Sequence, residues 1–209
     1  MNVLRHATLI IAALVLGACS GLKSHQPAPE VYALRARPVP AAPRAVEATL
    51  VIARPSARPG LDGDRIAVTM PDRRVDANAG GRWSAALPRV VESLLLDGFR
   101  GAGGFKAVLT ERGAFTGRYL LQVEVIEFAA DYSGQGKPPL ARVALRGELG
   151  VNGTRQLLAS VSGSAAVPAA ADRQREVAAA FEAAYATAAE QLIAAVDAAA
   201  LADAAAPRP

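Results

Sequence analysis

From Ala141 to Val151 the chain can only be a strand with one buried face. Ala141, Val143, Leu145, Gly147, Leu149 and Val151 alternate with Arg142, Arg146 and Glu148, a period of two. The run ends on Asn152-Gly153, a dipeptide suited to the positive φ angles of a tight hairpin. A strand returning through Leu157, Ala159 and Val161 completes the pair. Upstream, Tyr119 to Ala129 alternates in the same way, with Leu121, Val123 and Val125 on one face and Gln122 and Glu124 on the other. The apolar pair Val125-Ile126 breaks that alternation and predicts a bulge or a change of covered face.

Shorter strands are expected at Val31–Arg35, at Val46–Ala53, at Ile66–Met70 and at Phe105–Leu109. Arg73–Asn78 would pair with Ile66–Met70 as a hairpin around Pro71-Asp72. Between them, Arg37–Pro43 carries three prolines and Arg54–Asp64 is rich in turn residues, so both interrupt regular structure. From Trp83 the period changes. Leu87, Val90, Val91, Leu94, Leu95 and Phe99 form the stripe of an amphipathic helix. Ser84 is the expected N-cap, Pro88 fits the first turn, and Gly101, Gly103 and Gly104 stop the helix. Asp131–Pro139 reads as a loop. Asp172–Asp203 is Ala-rich and strongly helical, with a stripe of Val177, Phe181, Tyr185, Ala188, Leu192 and Val196. The order of elements predicts an α+β fold, a largely antiparallel sheet with two helices packed on one face. Arg142, Arg146, Gln122 and Glu124 fall on the other face, which is either solvated or an interface. Residues 30–203 form a single domain in this reading, followed by a frayed tail at 204–209.

Residue types exclude several chemistries. The chain has 209 residues, one Cys (Cys19) and two His (His6 and His25), all three near the N-terminus. No disulfide, thiolate metal cluster, Ser-His-Asp triad or His-ligated zinc can therefore be built in the body of the chain. The net charge of +4 is too mild to argue for nucleic-acid binding, and 20 of the 23 basic residues are Arg, a composition bias more than a chemistry. Asp62 and Asp64 are paired carboxylates, but calcium wants about six to eight oxygens and only Asp72 and Asp76 lie near in sequence. Turn formation, with Gly60 and Gly63 accepting unusual φ, accounts for them better. Neither Gly60-Leu61-Asp62-Gly63 nor Gly101-Ala102-Gly103-Gly104 has the spacing or the Gly-Lys-Ser/Thr of a phosphate-binding loop.

The N-terminus carries an address. Arg5 and His6 give a short basic region and Ala7–Ala18 an apolar run, too short to span a bilayer comfortably but suited to a signal peptide over residues 1–18. Leu16-Gly17-Ala18-Cys19 resembles the bacterial lipobox. Small residues let the backbone lie flat in a protease cleft, and the Cys19 thiol takes a diacylglycerol before the new amino terminus is acylated. Several acyl chains on Cys19 give stable membrane anchoring. Residues 19–29 are then a lipidated flexible tether. No metal and no cofactor other than this covalent lipid is implied.

Pro59-Gly60-Leu61-Asp62-Gly63-Asp64-Arg65-Ile66, followed by Gly81-Arg82-Trp83 and a helix with an early Pro88, resembles the ABC-type transport auxiliary lipoproteins, which include the paraquat-inducible protein C type. The resemblance spans roughly residues 30–198, with Val68-Thr69-Met70 and Val75-Asp76-Ala77 departing from the aromatic residues often found there. It implies a periplasm-facing outer-membrane lipoprotein, the absence of Asp after Cys19 (Ser20 instead) agreeing with outer-membrane sorting. It further implies service to ABC transporter components and an MCE-domain protein that move lipid or other hydrophobic molecules between the two membranes. The alternative from another class is a structural envelope lipoprotein that supports an outer-membrane or cell-wall assembly without handling lipid.

On either reading the domain works by binding and not by catalysis, with no nucleic-acid partner. The expected partner interface is the Pro/Gly-rich loop, through Gly60, Leu61, Asp62 and Arg65, together with Trp83. Leu61 would stand at the loop tip, whereas Trp83 is also a natural packing anchor at the helix start. The same loop could serve self-association into a homo-oligomer.

Overall fold

The computed structural model describes residues 29–72, 75–113, 115–134, 138–154 and 156–206. The signal segment, Cys19, Ser20 and the tether up to residue 28 lie outside the described residues. In chain order the elements are β1 (Glu30–Tyr32), β2 (Val46–Ile52), β3 (Ser56–Ala57), β4 (Arg65–Thr69), β5 (Val75–Trp83), α1 (Leu87–Ala102), β6 (Phe105–Thr110), β7 (Tyr119–Asp131), β8 (Leu140–Val151), β9 (Gln156–Pro168) and α2 (Gln174–Ala205).

The sheet is organised around β7. One edge of β7 pairs antiparallel with β8, from Tyr119 opposite Val151 to Asp131 opposite Leu140. A hairpin at the predicted place then carries β9 back along β8, with Val151 opposite Gln156 and Gly153 outside the positive-φ region of a tight two-residue turn. Three strands share the other edge in succession, all parallel to β7. β2 lies beside Tyr119–Leu121, β3 beside Glu124-Val125, and β4 beside Ala129–Asp131. Outside them β6 adds parallel to β2, β5 antiparallel to β4, and β1 parallel to β5. The fold is α+β as expected, with the longest ladders antiparallel and the short early strands added mostly in parallel.

Register then decides which side chains are covered. A shift between Val125 and Glu127 sits at the Val125-Ile126 pair. It lets Leu121, Val123 and Val125 face the core before the bulge and Phe128 and Ala130 after it. A second shift, between Leu149 and Gly150, sets Leu157 opposite Gly150. Leu157 is thereby turned outward, 57% exposed, against its expected place on the inner face with Ala159 and Val161.

Both helices cover the same sheet face. Leu87, Val90, Val91, Leu94, Leu95 and Phe99 of α1 join Val177, Phe181, Tyr185, Ala188, Leu192 and Val196 of α2 in one core with Leu50, Ile52, Leu121, Val143 and Leu145. Alanine and glycine let α2 approach closely. A Cβ at Gly163 of β9 would overlap the Ala188 carbonyl oxygen, so the helix backbone rests directly on the strand there. α2 also continues to Ala205, into the 204–209 stretch expected to fray.

The start of α1 differs from the sequence reading. β5 runs to Trp83, and the N-cap is Ala86, which makes no side-chain cap bond. Ser84 sits in the turn, its N–H donating to the Tyr32 carbonyl at 2.8 Å. The open Leu87 N–H is satisfied from outside the helix, by the Gly63 carbonyl at 2.9 Å. At the other end Gly103 adopts φ +67 and closes the helix, its N–H donating to the Phe99 carbonyl.

Candidate functional site

The Pro59–Arg65 loop is built by hydrogen bonds to its surroundings. Gly60 takes φ +87, and the turn closes through the Leu61 N–H to the Arg58 carbonyl at 3.0 Å. The Gly63 carbonyl caps α1, and the Asp64 carbonyl accepts the Trp83 N–H at 2.7 Å. The loop is thus clamped to the β5–α1 junction at two points. Gly60, Asp62 and Arg65 are exposed, whereas Leu61 is half-buried against the core and does not stand at a tip. Asp64 lies 3.8 Å from Arg82 in an exposed pair, which contributes little to stability. Among the described residues no group of three or more His, Cys, Asp or Glu is placed to hold a metal ion.

Trp83 does not belong to that surface. It is 1% exposed, its ring edge-on to Phe128 (5.6 Å between centroids) and Phe181 (5.2 Å), which themselves stack at 5.0 Å. The correction has a simple cause: β5 ends at Trp83 and delivers the side chain to the covered face of the sheet. The structure therefore groups Gly60, Leu61, Asp62 and Arg65 and leaves Trp83 in the core.

The uncovered sheet face carries Gln122, Glu124, Arg142 and Arg146, as the alternation predicts. Arg146 lies 3.8 Å from Glu124. Arg142 Nε donates to Asp131 at 2.7 Å, and the Ser133 N–H donates to the other Asp131 oxygen at 2.9 Å. The Ser133 N–H first, and Arg142 after it, hold the Asp131 carboxyl below its usual range. Two adjoining hollows of about 450 and 500 Å³ lie on this face and share Gln122 and Glu148. Leu120 and Leu157 line the second.

A third concavity was not legible in the sequence. The proline-containing segment Val39–Pro43 lies against α2 and is tied to the C-terminal end of α1 by the Ala42 N–H, which donates to the Ala102 carbonyl at 2.8 Å. Between them is a cavity of about 280 Å³ lined by Val39, Pro40, Pro43, Ile193, Ala194 and Leu201, with Asp197 in its wall. Asp197 is 4% exposed, and its fully covered Oδ1 has no hydrogen-bond partner among the described residues. Burial pushes its carboxyl up to about 6. Gly104 makes room for it, since a Cβ there would overlap the carboxyl. The available signal was an acid set beside the apolar stripe, directly after Val196 and one turn beyond Ile193. A helix that places an acid there must either hide it or use it.

The fold defines the class: an α+β domain whose sheet is covered by helices on one face only. A family model described as ABC-type transport auxiliary lipoprotein component matches residues 32–193, and the chain belongs to that family. The family is that of membrane-anchored, envelope-associated lipoproteins that assist ABC-type transport. The crystal structure of protein XCC0632 from Xanthomonas campestris is 26% identical, covering 84% of this chain and 99% of that one, with a TM-score of 0.77. An uncharacterised protein of known structure is 13% identical over 85% of this chain and 97% of its own, TM-score 0.59. A PelC dodecamer from Paraburkholderia phytofirmans is 19% identical over 80% of this chain and 95% of its own, TM-score 0.43. No curated protein matches. Among the described residues no helix is long and apolar enough to cross a membrane.

Proposed function

We propose that the protein is an outer-membrane lipoprotein, anchored through lipid on Cys19 and facing the periplasm, that acts without catalysing a reaction. It serves an ABC-linked system containing an MCE-domain protein that moves lipid or other hydrophobic molecules between the inner and outer membranes. The observation that carries this reading is the family match, which covers nearly the whole α+β domain. The sequence Leu16-Gly17-Ala18-Cys19 followed by Ser20 supports the anchor and its sorting. Neither His nor Cys occurs after His25, which removes the commonest general base and thiol nucleophile and favours binding over catalysis.

The partner surface in this reading is the exposed part of the loop, Gly60, Asp62 and Arg65. Loops clamped to a rigid scaffold are where binding residues concentrate. Full-length protein purified from its own membranes should bring down an MCE-domain protein. The double variant Asp62→Arg, Arg65→Glu should reduce that recovery at least tenfold while leaving the circular dichroism unchanged. Recovery of no MCE-domain protein by the wild type would refute the transport reading. Unchanged recovery by the double variant would refute only the placement of the interface.

A further inference from the structure

β9 closes one side of the sheet. Among the described residues it pairs with β8 alone, so its other edge has no strand beside it. Two hydrogen bonds show which main-chain groups that edge presents. The Ser164 N–H donates to the Gln191 side chain of α2 at 3.0 Å. The Ala169 N–H donates to the Pro139 carbonyl, on the β8 side, at 2.9 Å. In an antiparallel ladder both main-chain groups of a residue point to the same side, and the side alternates along the strand. Ser160, Ser162 and Ala166 therefore present their N–H and C=O groups outward together with Ser164.

Exposed edges are normally blunted by charge, by proline or by short length. The outermost strands on the opposite side of the sheet follow that rule: β1 has three residues, and β6 carries Lys106. β9 has 13 residues, none of them charged, and its proline stands only at the last position. Gln191 covers a single N–H. Alternating donors and acceptors over such a length are satisfied by another extended chain.

The residues of β9 point to which chain. Turned about a two-fold axis at Ser162, a second β9 runs antiparallel with Ser162 opposite itself, Ser160 opposite Ser164 and Val161 opposite Gly163. No like charges meet, serines face serines on the uncovered side, and the branched side chain meets the residue without one. On the helix side, Thr187 and Ala195 lie one turn either side of Gln191 and share its flank. Both are small, which leaves room for a second α2. We propose that β9 is the seam of a two-fold symmetric dimer, the sheet continuing from one copy into the next. Each Gln191 gives up its bond there, because the Ser164 N–H donates instead to the Ser160 carbonyl of the second copy. This inference does not depend on the transport reading.

The test is made in membranes carrying the full-length protein. Across such a seam the two Ser162 Cα atoms lie about 5.5 Å apart. The two Ser160 Cα atoms, out of register with each other, lie roughly 14 Å apart. A bis-maleimide with an ethylene spacer should therefore join Ser162→Cys into a covalent dimer at least tenfold more than Ser160→Cys, both variants keeping Cys19. Adding Ser160→Pro to Ser162→Cys should cut the joined fraction at least tenfold. That proline removes an N–H pointing away from β8, so the domain keeps its own ladder and its circular dichroism. Equal joining of Ser162→Cys and Ser160→Cys, or joining of neither, would overturn the proposal, and this comparison stands even if the proline variant fails to fold. Undiminished joining in a folded proline variant would overturn it as well.

Discussion

At Asp197, burial alone lifts a carboxyl from its ordinary 3.8 to about 6. Between those values the folded protein holds a proton that the unfolded chain has released. Stability therefore falls as pH rises through that window, and above it the buried charge exerts its full cost. Asp197→Asn should stabilise the domain at pH 8 by about 1–2 kcal/mol, a figure reduced from the full shift because the amide that replaces the charge is itself a buried polar group. At pH 4 variant and wild type should converge, and urea midpoints at the two pH values check this. A variant equally displaced at both pH values would mean that packing, not charge, is felt there. Gly104 belongs to the same local problem. Gly104→Ala puts a methyl group into the Asp197 carboxyl and should cost about 1–3 kcal/mol. The double variant with Asp197→Ala should recover most of that loss, read as a coupling in the same urea series.

The elements were legible wherever period and punctuation agreed. The α1 stripe, the Gly103 stop, the Asn152-Gly153 hairpin and the bulge at Val125-Ile126 all have local causes, so the chain states them locally. The parallel placement of β2, β3 and β4 does not. Alternation shows that a segment is a strand and which face is covered, but strand direction is fixed by partners far away in sequence. The same limit explains Ser84, a good cap by type that loses its place because β5 extends to Trp83 and the Gly63 carbonyl already satisfies Leu87. It also explains Leu157, turned outward by a register shift with no marker of its own. At the candidate site, Gly60, Asp62 and Arg65 were readable as a surface loop, whereas Asp197 required knowing what lies over α2. Two outcomes test the elements. Leu94, 4% exposed in the α1 stripe, should on change to Ala lower stability by about 2–5 kcal/mol, measured by urea unfolding. Gly163→Ala should lower it by about 3 kcal/mol or more, because the new methyl group meets the α2 backbone at Ala188 instead of a movable side chain.

At the scale of the whole molecule, the reading as a lipid-anchored auxiliary depends on one thiol. Cys19→Ser should abolish incorporation of labelled fatty acid and leave an unprocessed precursor, since serine lacks the sulfur that accepts the diacylglycerol. Label still entering that variant would sink the lipoprotein assignment for this chain. The way β7 is shared bears on a different matter, the order in which such a chain can be made. β2, β3 and β4 all precede β7 in sequence, yet each takes one main-chain partner from the same edge of β7. During vectorial synthesis and export the first part of the domain has only the β1–β5, β4–β5 and β2–β6 pairs available among its own strands. Those pieces join into one sheet only after Asp131 has emerged, and the long β7–β8–β9 meander is then free to form from neighbours in sequence. A domain wired in this way unites its early strands into one sheet late, once β7 has arrived on the far side of the membrane pore.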